Sequence, residues 1–291
     1  MPLTDRTLLP LAIATMCTIW GTTWLAIRVG LADLPPMTAL AARLLVAATV
    51  MTLVAPRLSG PDGQRPPTWL AVLMGTVSLG GGFALIYLAA GWLPSGVIAV
   101  LWATNPMMLA FAARYGLGER LCPRRAFGFV AGLCGIALLM ITDVPKMGAG
   151  AVLMAGLVLL SSASGAAMTV LIKRVGGAIS PALLTRDGLW VGASIVCGIA
   201  WAFERDLTPK WSAPAIASTL YLALFGTCLG FVLWFWALKR ASASRLGLVS
   251  YVTPVLAVIL GRLVGGEAIT PSLAMGTALV AGGVALAAWS G

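Results

Sequence analysis

GFALIYLAAGWLPSGVIAVLWATNPMMLAFAARYGLGERLCPRRAFGFVAGLCGIAL, running from Gly82 to Leu138, decides the reading of this chain because the chain contains it twice. Displaced by 148 positions and without a gap, it aligns with Gly230 to Leu286. The residues that recur are Pro106 with Pro254, Arg114 with Arg262, Gly118-Glu119 with Gly266-Glu267, Pro123 with Pro271, Gly128 with Gly276 and Gly135 with Gly283. These types punctuate helices or sit at their ends, so sharing them implies a shared backbone path. An internal duplication sets the architecture before any other feature does.

Composition identifies the solvent. The chain is 60% hydrophobic and 10% charged, whereas a soluble domain carries about 25% charge. Too few charges remain to cover a water-facing surface, and the chain reads as a multispanning membrane protein. Its net charge of +10 does not point to nucleic acid. The basic residues fall in short clusters between apolar runs, with no basic face interleaved with aromatics. Cys17, Cys122, Cys134, Cys197 and Cys228 form an odd set without C-x-x-C spacing, so free thiols are expected.

A helix needs about 20 apolar residues to cross a bilayer. Ten spans are expected, near 8–28, 36–55, 69–90, 94–114, 125–142, 149–172, 182–203, 212–238, 243–263 and 271–289. The first run is full length with only Arg6 before it, and reads as a retained span. Ten spans place the termini and the even-numbered connections on one side. That side carries twelve Lys and Arg against five on the other, which predicts cytoplasmic termini. Each half, 1–145 and 146–291, holds five spans, so the second enters from the opposite face. Ile27-Arg28-Val29-Gly30 with Pro35, against Lys173-Arg174-Val175-Gly176 with Pro181, extends the match to the start of each half. The expected fold is all-α, ten transmembrane helices in two inverted five-helix repeats around a central cavity, a plan common in secondary transporters.

The chain resembles the drug/metabolite transporter superfamily, in its branch of ten-span exporters with two EamA-type repeats. The residues that carry this are Trp20-Gly21, PMTALAAR from Pro36 to Arg43, Pro106, Gly118-Glu119-Arg120, Gly128 and Gly135, with their second-half partners. Ala166 and Ala167 stand where the second half would repeat Trp20-Gly21. Within the branch the chain resembles bacterial amino-acid and metabolite exporters. The resemblance implies that spans one, three, four, six, eight and nine surround a cavity worked by alternating access.

Candidate substrate contacts lie on those spans. Phe83 and Tyr87 share a helical face, and Phe231 and Phe235 repeat them at the same displacement. Trp20 and Trp24 share a face of span one with Thr23 beside them; Trp102 and Asn105 share one of span four. Ser161, Ser164 and Tyr251 add polar groups, which in hydrocarbon must find partners or line water. Lipid-facing packing is the competing reading for any one aromatic, and Trp69, Trp92, Trp201, Trp211 and Trp289 fit the membrane interfaces better. Pro106 and Pro254, with Gly82 closing the Gly80-Gly81-Gly82 run, are the expected hinge or gating elements. Glu119 and Glu267 read as helix caps. Arg43 lies about 10 Å from the membrane edge by helix rise, and snorkelling to the headgroups is favoured over contact with a substrate carboxylate.

The chain has no His, and each acidic residue maps to a loop or span end, with Asp187 expected to pair with Arg186. Gradient-driven export of small amphiphilic metabolites, amino acids foremost, without strong proton coupling is therefore expected. A multidrug or other metabolite exporter of the same superfamily is the alternative. A channel would need a filter sequence or charge rings, and an enzyme would need motifs this chain lacks. No cofactor or metal is expected. The expected partners are a small-molecule substrate and the lipid bilayer of the bacterial inner membrane, without nucleic acid, and a monomer suffices.

Overall fold

A backbone in hydrocarbon must satisfy its own donors and acceptors, and long helices do this locally. In the computed structural model, which describes residues 3–59, 63–118, 123–175, 177–241, 246 and 249–288, the apolar runs become ten helices. They are α1 (Leu3–Leu31), α2 (Pro36–Leu58), α3 (Thr68–Ala90), α4 (Ser95–Gly116) and α5 (Pro123–Thr142). The second half supplies α6 (Ala149–Val175), α7 (Pro181–Glu204), α8 (Ala213–Leu238), α9 (Val249–Leu263) and α10 (Pro271–Ala288). Eight helices are long and apolar enough to cross a membrane, and α9 contains a shorter apolar stretch, Val252–Leu263, among the described residues. Four helices open on proline (Pro36, Pro123, Pro181 and Pro271), whose fixed φ and missing N–H suit a first turn. The chain is an integral membrane protein.

The helix pairs follow a pseudo-two-fold. Helices α2 and α7 pack together, as do α5 and α10, and α4 and α9. The α1–α9 pair is matched by α6–α4, α3–α7 by α8–α2, and α3–α6 by α8–α1. Exchanging each helix with the one five places away reproduces the set. The recurring glycines meet one another across this axis. A Cβ placed on Gly135 would lie 2.7 Å from the Gly276 carbonyl oxygen, and one on Gly276 would lie 3.0 Å from the Gly135 oxygen. A Cβ on Gly283 would collide with the carbonyl of Gly128. Small residues let two backbones approach where lipid supplies no hydrophobic drive.

Among the described residues, the two ends of the bundle are tied by different groups. On the face of the odd-numbered connections, Glu204 at the end of α7 accepts from the backbone N–H groups of Met37 and Thr38 at the start of α2, at 2.8 and 2.7 Å. Glu267 accepts from Ser95 and Gly96 at the start of α4, at 3.0 and 3.2 Å, and pairs with Arg28 at 3.1 Å. Both are caps, as expected for Glu267, but of helices in the other half; α10's own first turn is capped by Thr270. Asp33 accepts from Ser212, and Asp143 from Thr270 and Ser272. Glu119 lies outside the described residues. On the opposite face Ser59, just past the end of α2, accepts from Ser180 at 2.9 Å. Carboxylate-to-N–H bonds at helix N-termini are charge-assisted, and hydroxyl pairs are not.

Two predictions follow from these contacts. Gly135→Val should separate α5 from α10 and cost roughly 1–3 kcal/mol, read as a lower unfolding temperature in detergent; Gly282→Val on the open side of α10 should not. Glu204→Ala should lower the same temperature more than Ser59→Ala, about 1.5–3 against about 0.5–1.5 kcal/mol per bond lost. Equal losses would contradict the asymmetry.

Candidate functional site

Three helices of the bundle depart from regular α-geometry, and the departures surround one cavity. Helix α3 is π-helical from Met74 to Gly82, and α8 from Leu222 to Leu229. The two stretches begin 148 positions apart, the displacement of the sequence repeat. π-Helix is rare and clusters at functional sites. Helix α4 breaks at Ala103-Thr104, just before Asn105-Pro106. Pro106 has no N–H for the Trp102 carbonyl four residues back, and the Ser162 hydroxyl reaches that carbonyl at 3.5 Å. Thr104 donates to Ser162 Oγ at 3.1 Å, and Asn105 Nδ2 donates to the Ser162 carbonyl at 2.9 Å. One residue earlier, Ser161 donates to the Gly82 carbonyl that ends the π-stretch of α3, at 2.7 Å. Adjacent serines on α6 thus hold both irregular helices of the first half. Across the pseudo-two-fold, Trp20 Nε1 on α1 donates to the Gly226 carbonyl in the π-stretch of α8, at 3.2 Å.

The cavity, about 130 Å³, opens where these irregularities meet. Helices α1, α3, α4, α6, α8 and α9 line it, and α2 adds a single residue, Arg43. Of the residues singled out from sequence, Trp20, Thr23, Trp24, Phe83, Tyr87, Trp102, Asn105, Ser161, Phe231 and Phe235 are on its wall. The aromatics touch in two groups. Phe231 sits 6.0 Å from Phe83, 5.9 Å from Phe235 and 6.2 Å from Trp20 between ring centroids, and Trp24 sits 5.9 Å from Trp102. Ser164 is not on the wall; its hydroxyl donates to the Ser161 carbonyl within α6. The Tyr251 side chain lies outside the described residues. Gly82 packs beside Ser161 and Ser164, with its π-helical neighbour Gly80 against Gly192 of α7. Pro106 adjoins a real helix break, whereas Pro254 sits inside uninterrupted α9.

Arg43 corrects the sequence reading. It is 3% exposed and does not snorkel. Its Nε donates to Thr227 Oγ1 at 3.0 Å, its Nη1 reaches the Tyr87 hydroxyl at 3.4 Å, and its guanidinium lies 4.6 Å from the Phe83 ring centroid. Helix rise gave the depth of this residue but not the face it occupies. Thr227 can receive it because its own hydroxyl hydrogen goes to Leu222 O, five residues back in the π-stretch. Trp234, also on the wall, packs 5.6 Å from Trp20. Its signal was its place between Phe231 and Phe235.

A second hollow of about 280 Å³ lies toward the even-connection face and shares Ile172 and Phe235 with the cavity. Lys239 at its rim donates to the Ile179 carbonyl at 2.6 Å; burial, then the charge of Arg240, pushes its ammonium pKa down. A hollow on the odd-connection face, bounded by Arg28, Trp92 and Met147, shares no residue with the cavity. Asp187 pairs with its neighbour Arg186 at 2.6 Å. Among the described residues no cluster of His, Cys, Asp and Glu could hold a metal ion, and Cys17, Cys134, Cys197 and Cys228 are free thiols; Cys122 lies outside them.

Comparison with known proteins gives this architecture a family. The profile of the EamA-like transporter family matches residues 8–141 and again 152–289. The uncharacterized inner membrane transporter YedA of Escherichia coli K12 is 30% identical over 281 residues, 91% of this chain and 86% of the relative. The uncharacterized transporter YoaV of Bacillus subtilis is 26% identical, covering 94% of each chain. A probable terminal-alkyne amino-acid exporter of Streptantibioticus cattleyicolor is 27% identical over 94% of this chain and 91% of its own. A crystal structure of a protein with 20% identity superposes with a TM-score of 0.75 over 97% of this chain and 96% of that one, which shows a shared fold. The chain belongs to the EamA-like transporter family, within the drug/metabolite transporter superfamily.

Proposed function

We propose that this transporter exports small amphiphilic metabolites, amino acids foremost, from the bacterial cytoplasm by alternating access. The halves, 1–145 and 146–291, work as an inverted pair with both termini cytoplasmic. The observation that carries this reading is the aromatic cavity between them, walled by helices of both halves and continued toward the even-connection face. That face bears the excess of basic residues, which supports its being cytoplasmic. An inverted pair has two arrangements of similar energy, one open to each side.

Substrate contacts are assigned to Trp20, Thr23, Trp24, Phe83, Tyr87, Trp102, Asn105, Ser161, Phe231 and Phe235. An apolar wall with a few placed polar groups suits a small amphiphile. Support for amino acids also comes from the relative named as a probable amino-acid exporter. Gly82 and Pro106 are assigned as hinges, one ending a π-stretch and the other bordering a helix break. Ile172 and Phe235, shared by the two hollows, form the gate toward the cytoplasm. No described carboxylate or His lines the cavity, which supports export driven by the substrate gradient without a proton carrier. One chain encloses the whole cavity, so a monomer suffices for the cycle.

Counterflow in proteoliposomes with a panel of amino acids tests the reading. Saturable uptake is expected, and Trp102→Ala or Tyr87→Ala should reduce it roughly tenfold in protein that still elutes as a folded monodisperse species. Unaltered transport in both variants would contradict the cavity assignment. An absolute requirement for an imposed pH gradient would contradict the driving force.

A further inference from the structure

Arg43 brings a guanidinium cation into the bundle, and no described carboxylate pairs with it. Each described carboxylate is engaged elsewhere. Asp33, Asp143, Glu204 and Glu267 are bonded on the odd-connection face. Asp187 pairs with Arg186 and Asp206 with Arg205. The guanidinium instead rests on the Phe83 and Tyr87 rings, 4.6 and 5.9 Å from their centroids, and on two hydroxyls. Hydroxyls and rings soften a buried charge without neutralising it. Nη2 makes no hydrogen bond among the described residues, and it lies beside Gly226, where an added Cβ would be 3.6 Å away.

A second donor on the same wall is also unused. Trp24 is 9% exposed, and its indole Nε1 has no hydrogen-bond partner. A buried orphan N–H is costly, and a Trp N–H can only donate. Two unfilled donors, one of them on a full positive charge, belong to residues that line one cavity whose described residues offer no anion. Asn105 is the complement: its Nδ2 is used on Ser162, which leaves its carbonyl oxygen as an acceptor on the same wall.

We propose that Arg43 and the Trp24 indole N–H form a carboxylate subsite, so that the transported metabolite carries a free carboxylate and docks it there. The Asn105 side-chain carbonyl then receives a donor such as an ammonium, and the aromatic rings hold the apolar remainder. This rests on the export reading above and narrows its substrate class. A planar guanidinium fork matches a carboxylate, and an amide or ester in its place leaves the charge unmatched.

Four tryptophans line the cavity, so quenching of intrinsic fluorescence reports binding to the full chain in detergent. The probes are leucine and phenylalanine, each beside its amide, and 3-phenylpropionate. Wild type should bind the acids roughly tenfold or more above the amides, the worth of a charge-assisted bond. Arg43→Gln should abolish that preference, and Arg43→Lys should keep part of it. Trp24→Phe, which retains a ring and loses only the N–H, should weaken the acids several-fold and the amides less, because a carboxylate accepts the stronger bond. If Arg43→Gln fails to fold, the wild-type ratio and Trp24→Phe decide. An acid preference absent from wild type, or surviving intact in Arg43→Gln, overturns the subsite. Counterflow separates the two readings. Transport of a substrate lacking a carboxylate overturns the subsite and leaves export standing, whereas acid binding without counterflow leaves the subsite and removes export.

Discussion

Hydrocarbon offers no partner to a backbone N–H or carbonyl, and this structure is organised by how it meets that constraint. Most of the chain does so with uninterrupted helix. Among the described residues the exceptions within the helices are the π-stretches of α3 and α8 and the break in α4. Three of the carbonyls there are taken by side chains from neighbouring helices. Ser161 takes Gly82, Ser162 takes Trp102, and Trp20 takes Gly226. Irregular backbone at membrane depth is tolerated where it faces protein or a cavity, and here it faces both.

The duplication gives these exceptions their symmetry. The π-stretches occupy equivalent positions in the two halves, one on each side of the cavity. The glycines repeated between the halves turn out to be contacts between the halves, Gly135 on Gly276 and Gly128 on Gly283. At the ends, Glu204 and Glu267 bind helix N-termini of the opposite half on one face, and Ser59 accepts from Ser180 on the other, where Glu119, the repeat of Glu267, lies outside the described residues.

Much of this was legible in the residues. The repeat, the proline-initiated helices and the aromatic faces of spans one, three, four and eight all read directly from spacing. Arg43 was legible as to depth but not direction. Its inward course depends on Thr227, whose availability depends on a π-stretch with no glycine run to announce it. In α3 the Gly80-Gly81-Gly82 run was visible, but as a packing feature. Glu267 showed itself as a cap, yet the helix start it caps is 172 residues away in sequence, and only the folded bundle brings Ser95 to it. Ser162 left no mark beyond being polar in an apolar run.

The central claim is that the two halves thread the membrane in opposite senses around one cavity. The most direct measurement is labelling of single cysteines, in a chain otherwise free of them, with an impermeant maleimide added to either side of oriented vesicles. Cysteines at Gln64 and Gly177 should label from one side only, and cysteines at Trp92 and Trp211 only from the other. If Gln64 and Trp92 labelled from the same side, the inverted arrangement and the cavity built on it would both be wrong.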